Sequence, residues 1–142
     1  MSLNEVSAVY LRAKPEPGII ARLHTGDPSL YGAIQEQMDF CRRENVPFEV
    51  VPGVSSFSAA AAALEQELTL PGVTQTVVIT RAAGRTPVPE KEDLALLARP
   101  RPTMVLFLSI DKIGEAAGKL AASYPAGTPA AVVYRADRQS VV

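Results

Sequence analysis

The stretch Ile19-Ile-Ala-Arg-Leu-His-Thr-Gly-Asp-Pro-Ser-Leu-Tyr-Gly32 decides the fold class. Ile19 to Leu23 is a compact apolar run that follows the breakers Pro15, Pro17 and Gly18, and it predicts a strand. His24 to Pro28 is dense in turn formers. Leu30, Ile34, Met38 and Cys41 then recur at helical spacing, which predicts a helix from Leu30 to about Glu44. The same order returns downstream. Phe48 to Val51 predicts a strand, Pro52-Gly53 a turn, and Ser55 or Ser56 the cap of a helix running through Phe57 and Ala59 to Ala63. Upstream, Asn4 to Lys14 predicts a short helix. Strand and helix in alternation are the mark of an α/β protein with a mainly parallel sheet.

Leu70-Pro71-Gly72 interrupts this pattern and marks a domain junction, giving 1–70 and 71–142. Beyond it, Thr76 to Thr80 is β-branched and predicts a strand. Ala82 to Pro89 reads as a loop, and Glu90 to Leu97 as a helix with acidic residues in its first turn, where the helix dipole favours them. Met104 to Leu108 predicts a strand, Ile110 to Ser123 a helix, and Ala130 to Tyr134 a last strand.

Composition narrows the function. The 142 residues are 47% hydrophobic and 20% charged, enough apolar material for a core. A formal net charge of -1 leaves no basic excess to pair with phosphates, which argues against a nucleic-acid partner. No apolar run approaches the ~20 residues of a membrane span. Cys41 is the only cysteine and His24 the only histidine. An internal disulfide is excluded, a metal site or a Ser-His-Asp triad is disfavoured, and a reducing cytoplasm is the natural setting.

The chemistry-bearing residues gather where strands are expected to end, which is where open α/β sheets bind ligands. In the first loop, Gly26 permits close backbone approach. Asp27 offers acceptors to a ribose hydroxyl or a cation, and Leu30 and Tyr31 are placed to wall a ring. The competing reading is a tight turn with Asp27 as helix cap. In the second, Ser55 and Ser56 stand at a helix start, where free N–H groups bind polar ligand atoms, or where Ser55 simply caps. In the second half, Arg81, Arg85 and Arg135 are three cations just beyond strand ends, suited to an acidic substrate. Each taken singly is an ordinary surface arginine.

Arg22-Leu-His-Thr-Gly-Asp-Pro-Ser-Leu-Tyr-Gly32, Val51-Pro-Gly-Val-Ser-Ser-Phe-Ser-Ala-Ala60, Leu68-Thr-Leu-Pro71 and Val77 to Arg81 with the following Gly-Arg-Thr-Pro-Val-Pro89 resemble, in this order, the tetrapyrrole methylase family. The first of these motifs and the Gly-Arg-Thr-Pro loop are most similar to the branch acting on precorrin-4 at C-11 in cobalamin biosynthesis. The resemblance implies a two-domain fold with S-adenosylmethionine in the cleft between the domains, no metal, a tetrapyrrole substrate and a homodimer. It implies cofactor contacts at Thr25, Gly26, Asp27, Leu30, Ser55, Ser56, Leu108 and Ala136, and leaves Tyr31, Arg81, Arg85 and Arg135 as substrate contacts. The sister readings are another precorrin or uroporphyrinogen methylase, or a non-catalytic piece retaining part of the cleft. The family's opening Gly-x-Gly-Pro-Gly-Asp-Pro loop and its final strands are missing here. The expectation is therefore a fold incomplete in both domains.

Overall fold

The computed structural model describes residues 2–134 and 136. They form two compact units, Met1–Ala59 and Ala60–Val142, and the division falls within a helix.

In the first unit, α1 (Leu3–Ala13) starts on a capping box. The Ser2 hydroxyl accepts from Glu5 N–H at 3.3 Å, and the Glu5 carboxylate accepts from Ser2 N–H at 2.6 Å. α2 (Gln35–Arg43) packs against α1, burying Val6 and Cys41. The Tyr10 phenol donates to Gln37 Oε1 at 2.9 Å and the Lys14 ammonium to Glu44 O, so the C-terminal end of α1 is tied to both ends of α2. Burial pushes the Cys41 thiol above its ordinary value. α2 closes with Asn45 in the left-handed region at φ 54° while Val46 N–H donates to Cys41 O.

Two expectations are corrected here. The helix does not begin at Leu30, because Tyr31 (φ 56°) and Ala33 (φ 49°) are left-handed and a right-handed helix does not pass through them. A turn closed by Leu30 N–H on Asp27 O occupies that place instead. The runs 19–23 and 48–51 hold no strand among the described residues, for neither has a ladder partner. Their side chains are correspondingly open, with Ile19 98% and Leu23 80% exposed.

α3 (Ser56–Ala63) leads into the second unit, as expected from the serine pair and the alanine run. Leu70-Pro71-Gly72 forms a tight turn inside that unit, with Val73 N–H and Thr74 N–H donating to Leu70 O. β1 (Val77–Arg81) and β2 (Thr103–Phe107) then pair in parallel, Val77 opposite Thr103 through Arg81 opposite Phe107. Parallel neighbours need a crossover, and here it carries a 3-10 turn (Glu90–Glu92) and α4 (Leu94–Leu97). The single expected helix is split because Asp93 adopts ψ 139° and spends its carboxylate on Ala95 N–H, capping α4.

After β2, a 3-10 turn (Ile110–Lys112) enters α5 (Ile113–Ala121). Ala116 and Leu120 of α5 meet Ala82, Leu94, Met104 and Leu106 to form the core of this unit. Met104 and Leu106 are two apart, so the pleat turns both to one face. The Tyr124 phenol donates to the carbonyl of fully buried Pro102, and Arg101 Nε–H donates to Ser123 O at 2.8 Å. These bonds tie the exit of α5 to the entry of β2. Of the expected last strand, Ala130 to Tyr134, residues 130–132 are in no strand among the described residues, while Val133 sits in a β-bridge.

Candidate functional site

In the first unit the loop after residue 23 and the loop before α3 meet backbone to backbone. A Cβ placed on Gly53 would lie 2.2 Å from Gly26 O, so only glycine fits there. Gly26 itself is left-handed at φ 69°, and a Cβ on it would stand 3.6 Å from both Ser56 N and Val54 O. Gly53 N–H donates to Asp27 Oδ2 at 3.0 Å. Ser29 N–H donates to Asp27 Oδ1 at 2.8 Å, and the Ser29 hydroxyl donates to the same oxygen. The Ser29 hydroxyl, then the Ser29 and Gly53 N–H groups, hold the Asp27 carboxyl below the ordinary aspartate value.

Asp27 therefore acts as a latch between the two loops. It is not the cap of a helix, since none starts there, and its oxygens already serve three donors from the chain itself. Ser55 is buried, and its carbonyl accepts from Ser58 N–H and Ala59 N–H to open α3. Thr25 and Ser56 leave their hydroxyls on exposed residues of the two loops; Leu30 is half-buried, and Tyr31 is exposed. The latched pair thus brings Thr25, Gly26 and Asp27 next to Ser55 and Ser56. Spacing signals each loop; the link between them lies in Ser29, which sequence reading passed over, and in Gly53, which it read only as a turn.

In the second unit the strand ends are similarly tied. Leu108 leaves β2 in the left-handed region at φ 51° with its side chain 78% exposed. That backbone costs a residue bearing a Cβ roughly 1–2 kcal/mol. Asn45 and Glu65 take the same conformation where helices end, a common termination. Leu108 instead sits at the carboxyl end of a parallel strand. Ser109, buried, donates its hydroxyl to Phe107 O at 2.6 Å and accepts from Ala82 N–H at 2.8 Å. Sequence reading places Phe107-Leu108-Ser109 at a strand end but gives Ser109 no role; its only signal is a polar side chain directly after an apolar strand.

Arg81 spends its guanidinium on its own loop, donating to Ala82 O at 3.3 Å, Thr86 O at 3.0 Å and Pro87 O at 2.9 Å. The fork shapes residues 82–87, and Arg85 sits exposed on that loop. Ala136 is half-buried, and Arg135 lies outside the described residues.

Neither of two surface hollows is centred on the predicted loops. One of about 460 Å³ lies between α1 and α2, lined among others by Leu3, Ser7, Leu11, Asp39 and Phe40. The other, about 220 Å³, lies beside the loop after β1 and α5, and among the predicted residues only Arg81 borders it. The loop pair is held by its own backbone contacts. No helix among the described residues is long and apolar enough to cross a membrane.

The loops of the first unit carry exposed hydroxyls and tightly held glycine backbone. The second unit, taken by itself, displays the Leu108 side chain at a strand end.

Residues 2–140 match the Tetrapyrrole (Corrin/Porphyrin) Methylases. The chain is 49% identical over 138 residues to a cobalt-precorrin-4 C(11)-methyltransferase of Methanocaldococcus jannaschii, covering 96% of the chain and 53% of that relative. It is 48% identical to a precorrin-4 C(11)-methyltransferase of Pseudomonas aeruginosa over 96% of the chain and 55% of the relative. Among solved structures, a cobalt precorrin-4 methyltransferase superposes with TM-score 0.82 at 49% identity, covering 87% of this chain and 52% of that one. A uroporphyrin-III C-methyltransferase from Thermus thermophilus, complexed with S-adenosylhomocysteine, superposes with TM-score 0.64 at 27% identity, covering 83% and 51%. The chain thus spans about half the length of the curated relatives it matches.

Proposed function

We propose, proceeding from the fact that this chain belongs to the tetrapyrrole (corrin/porphyrin) methylase family, that it serves S-adenosylmethionine-dependent methyl transfer to ring carbon C-11 of precorrin-4 in cobalamin biosynthesis. The observation that carries the reading is the latched loop pair of Asp27 and Gly53, found in a chain half identical to precorrin-4 methyltransferases. The family uses S-adenosylmethionine. When bound, this cofactor supplies a methyl group activated on a sulfonium.

The work left to the protein is to bind, align and exclude water, which is where the rate of such a displacement is set. In the first unit we assign cofactor contacts to Thr25, Gly26, Leu30, Ser55 and Ser56, with Asp27 fixing the loops through Gly53 and Ser29. In the second we assign them to Leu108 and Ala136. In the second unit Arg85 stands exposed and is suited to a carboxylate of the substrate; in the first, the exposed Tyr31 is assigned to the substrate as well. Arg81 contributes by shaping the loop that carries Arg85. Homodimer formation, a metal-free reaction and a cytoplasmic setting belong to the same proposal.

The identity figures favour precorrin-4 over uroporphyrinogen as the substrate, 49% against 27% between the two solved neighbours. Calorimetry of this chain with S-adenosylhomocysteine tests cofactor binding. Mass spectrometry of precorrin-4 and cobalt-precorrin-4 incubated with the chain and S-adenosylmethionine tests transfer. Cofactor binding and a gain of one methyl are expected. Binding without transfer supports a retained site that does not turn over, and the absence of binding rejects the reading for this chain.

A further inference from the structure

We infer that Ser109 is a positioning residue that sets the cofactor-side display of Leu108 and locks it to the loop leaving β1; this rests on the reading of Leu108 given above. The Ser109 hydroxyl donates to Phe107 O and so closes a small ring around Leu108, the residue between them. The same oxygen accepts from Ala82 N–H, the first amide after β1. One hydroxyl has a single hydrogen to give and two lone pairs to receive, and this one fills both roles while buried.

The consequence is geometric. Leu108 is left-handed at φ 51° and 78% exposed, so its backbone is held against its preference and its side chain is shown to solvent. A strained backbone of this kind persists only where its surroundings over-determine it. Ser109 supplies that determination from one side. From the other, Lys112 donates its ammonium to Ala83 O, and Arg81 fixes residues 82–87 by their carbonyls. Leu108 and the loop bearing Arg85 therefore share one fixed point, the Ser109 hydroxyl.

The test measures S-adenosylhomocysteine affinity by calorimetry and Ala82 amide exchange by NMR in the full chain. Ser109→Ala is expected to weaken binding about ten-fold and to speed Ala82 exchange, as loss of a buried hydrogen-bonded group does. Ser109→Thr, which keeps the hydroxyl, should restore affinity. In a Leu108→Ala background the further effect of Ser109→Ala should shrink to about two-fold or less, because the two act as a unit. Should Ser109→Ala fail to fold, Ser109→Cys keeps the bulk with a weaker donor and should bind several-fold less tightly. A folded Ser109→Ala or Ser109→Cys that binds as the unsubstituted chain does overturns the positioning role alone. If the unsubstituted chain takes up no S-adenosylhomocysteine, the reading of Leu108 fails, and this inference with it.

Discussion

Gly53 donates its backbone N–H to the Asp27 carboxylate across twenty-six residues of chain, at 3.0 Å, where its missing side chain leaves room for Gly26 O. Bond and contact are two aspects of one junction. The bond requires the loops to be close, and the closeness requires glycine.

Gly53→Ala should therefore destabilise the first unit, since the new methyl meets backbone that cannot rotate away. A loss of about 1–3 kcal/mol is expected from such overpacking. Gly118→Ala is the control. Gly118 lies inside α5 with nothing within 4 Å of an added Cβ, so the change should stabilise by about 1 kcal/mol through helix propensity. Urea denaturation of the two variants checks both signs.

Acid should loosen the same junction. The folded-state pKa of Asp27 is lowered from 3.8, mainly by the Ser29 hydroxyl. A depressed carboxylate contributes stability that is fully present above 3.8 and is lost as pH falls through the lowered folded value. Asp27→Asn should flatten this acid limb of unfolding and lower stability at neutral pH. Circular dichroism across pH 2 to 6, roughly the window in which aspartate titrates, reads the difference.

At the alkaline end, Lys119 donates to Asp93 Oδ2 at 2.7 Å, and that bond raises its pKa above 10.5. Stability from a raised lysine is fully present below 10.5 and disappears as pH rises through the folded value. Lys119→Met should remove that alkaline dependence, measured as the thermal midpoint against pH. Both side chains are 38% exposed, so the effect at neutral pH should be small.

Leu94 is the large apolar side chain of α4 that reaches the core of the second unit, at 3% exposure. Leu94→Ala should cost about 2–5 kcal/mol, with the higher figures for a site that does not collapse around the gap. Leu96→Ala, four-tenths exposed on the same helix, should change stability far less. Thermal unfolding of the pair separates them.

The second unit was the more legible in the sequence. β1, β2 and α5 appear within a few residues of where periodicity and breakers place them, because each finds its partner inside this unit: the two strands pair with each other and α5 packs on the core around Leu94. The runs 19–23 and 48–51 have the composition of strands, yet a strand exists only with a partner, and composition does not supply one. Left-handed Tyr31 and Ala33 were invisible for a related reason. Neither is a glycine or an asparagine, so nothing local announces the turn that delays α2. For the candidate site, both glycine loops were legible from their punctuation. The roles of Asp27 and Arg81 were not, because a carboxylate or guanidinium that serves its own backbone has the same letter as one that serves a ligand.

Cys41 lies under the contact of α1 and α2 at 6% exposure, and its thiol is pushed up by burial. An alkylating dye will therefore reach the only sulfhydryl of the protein when those helices part. The labelling rate becomes a clock for opening of the first unit; the β1–β2 unit contains no thiol to report.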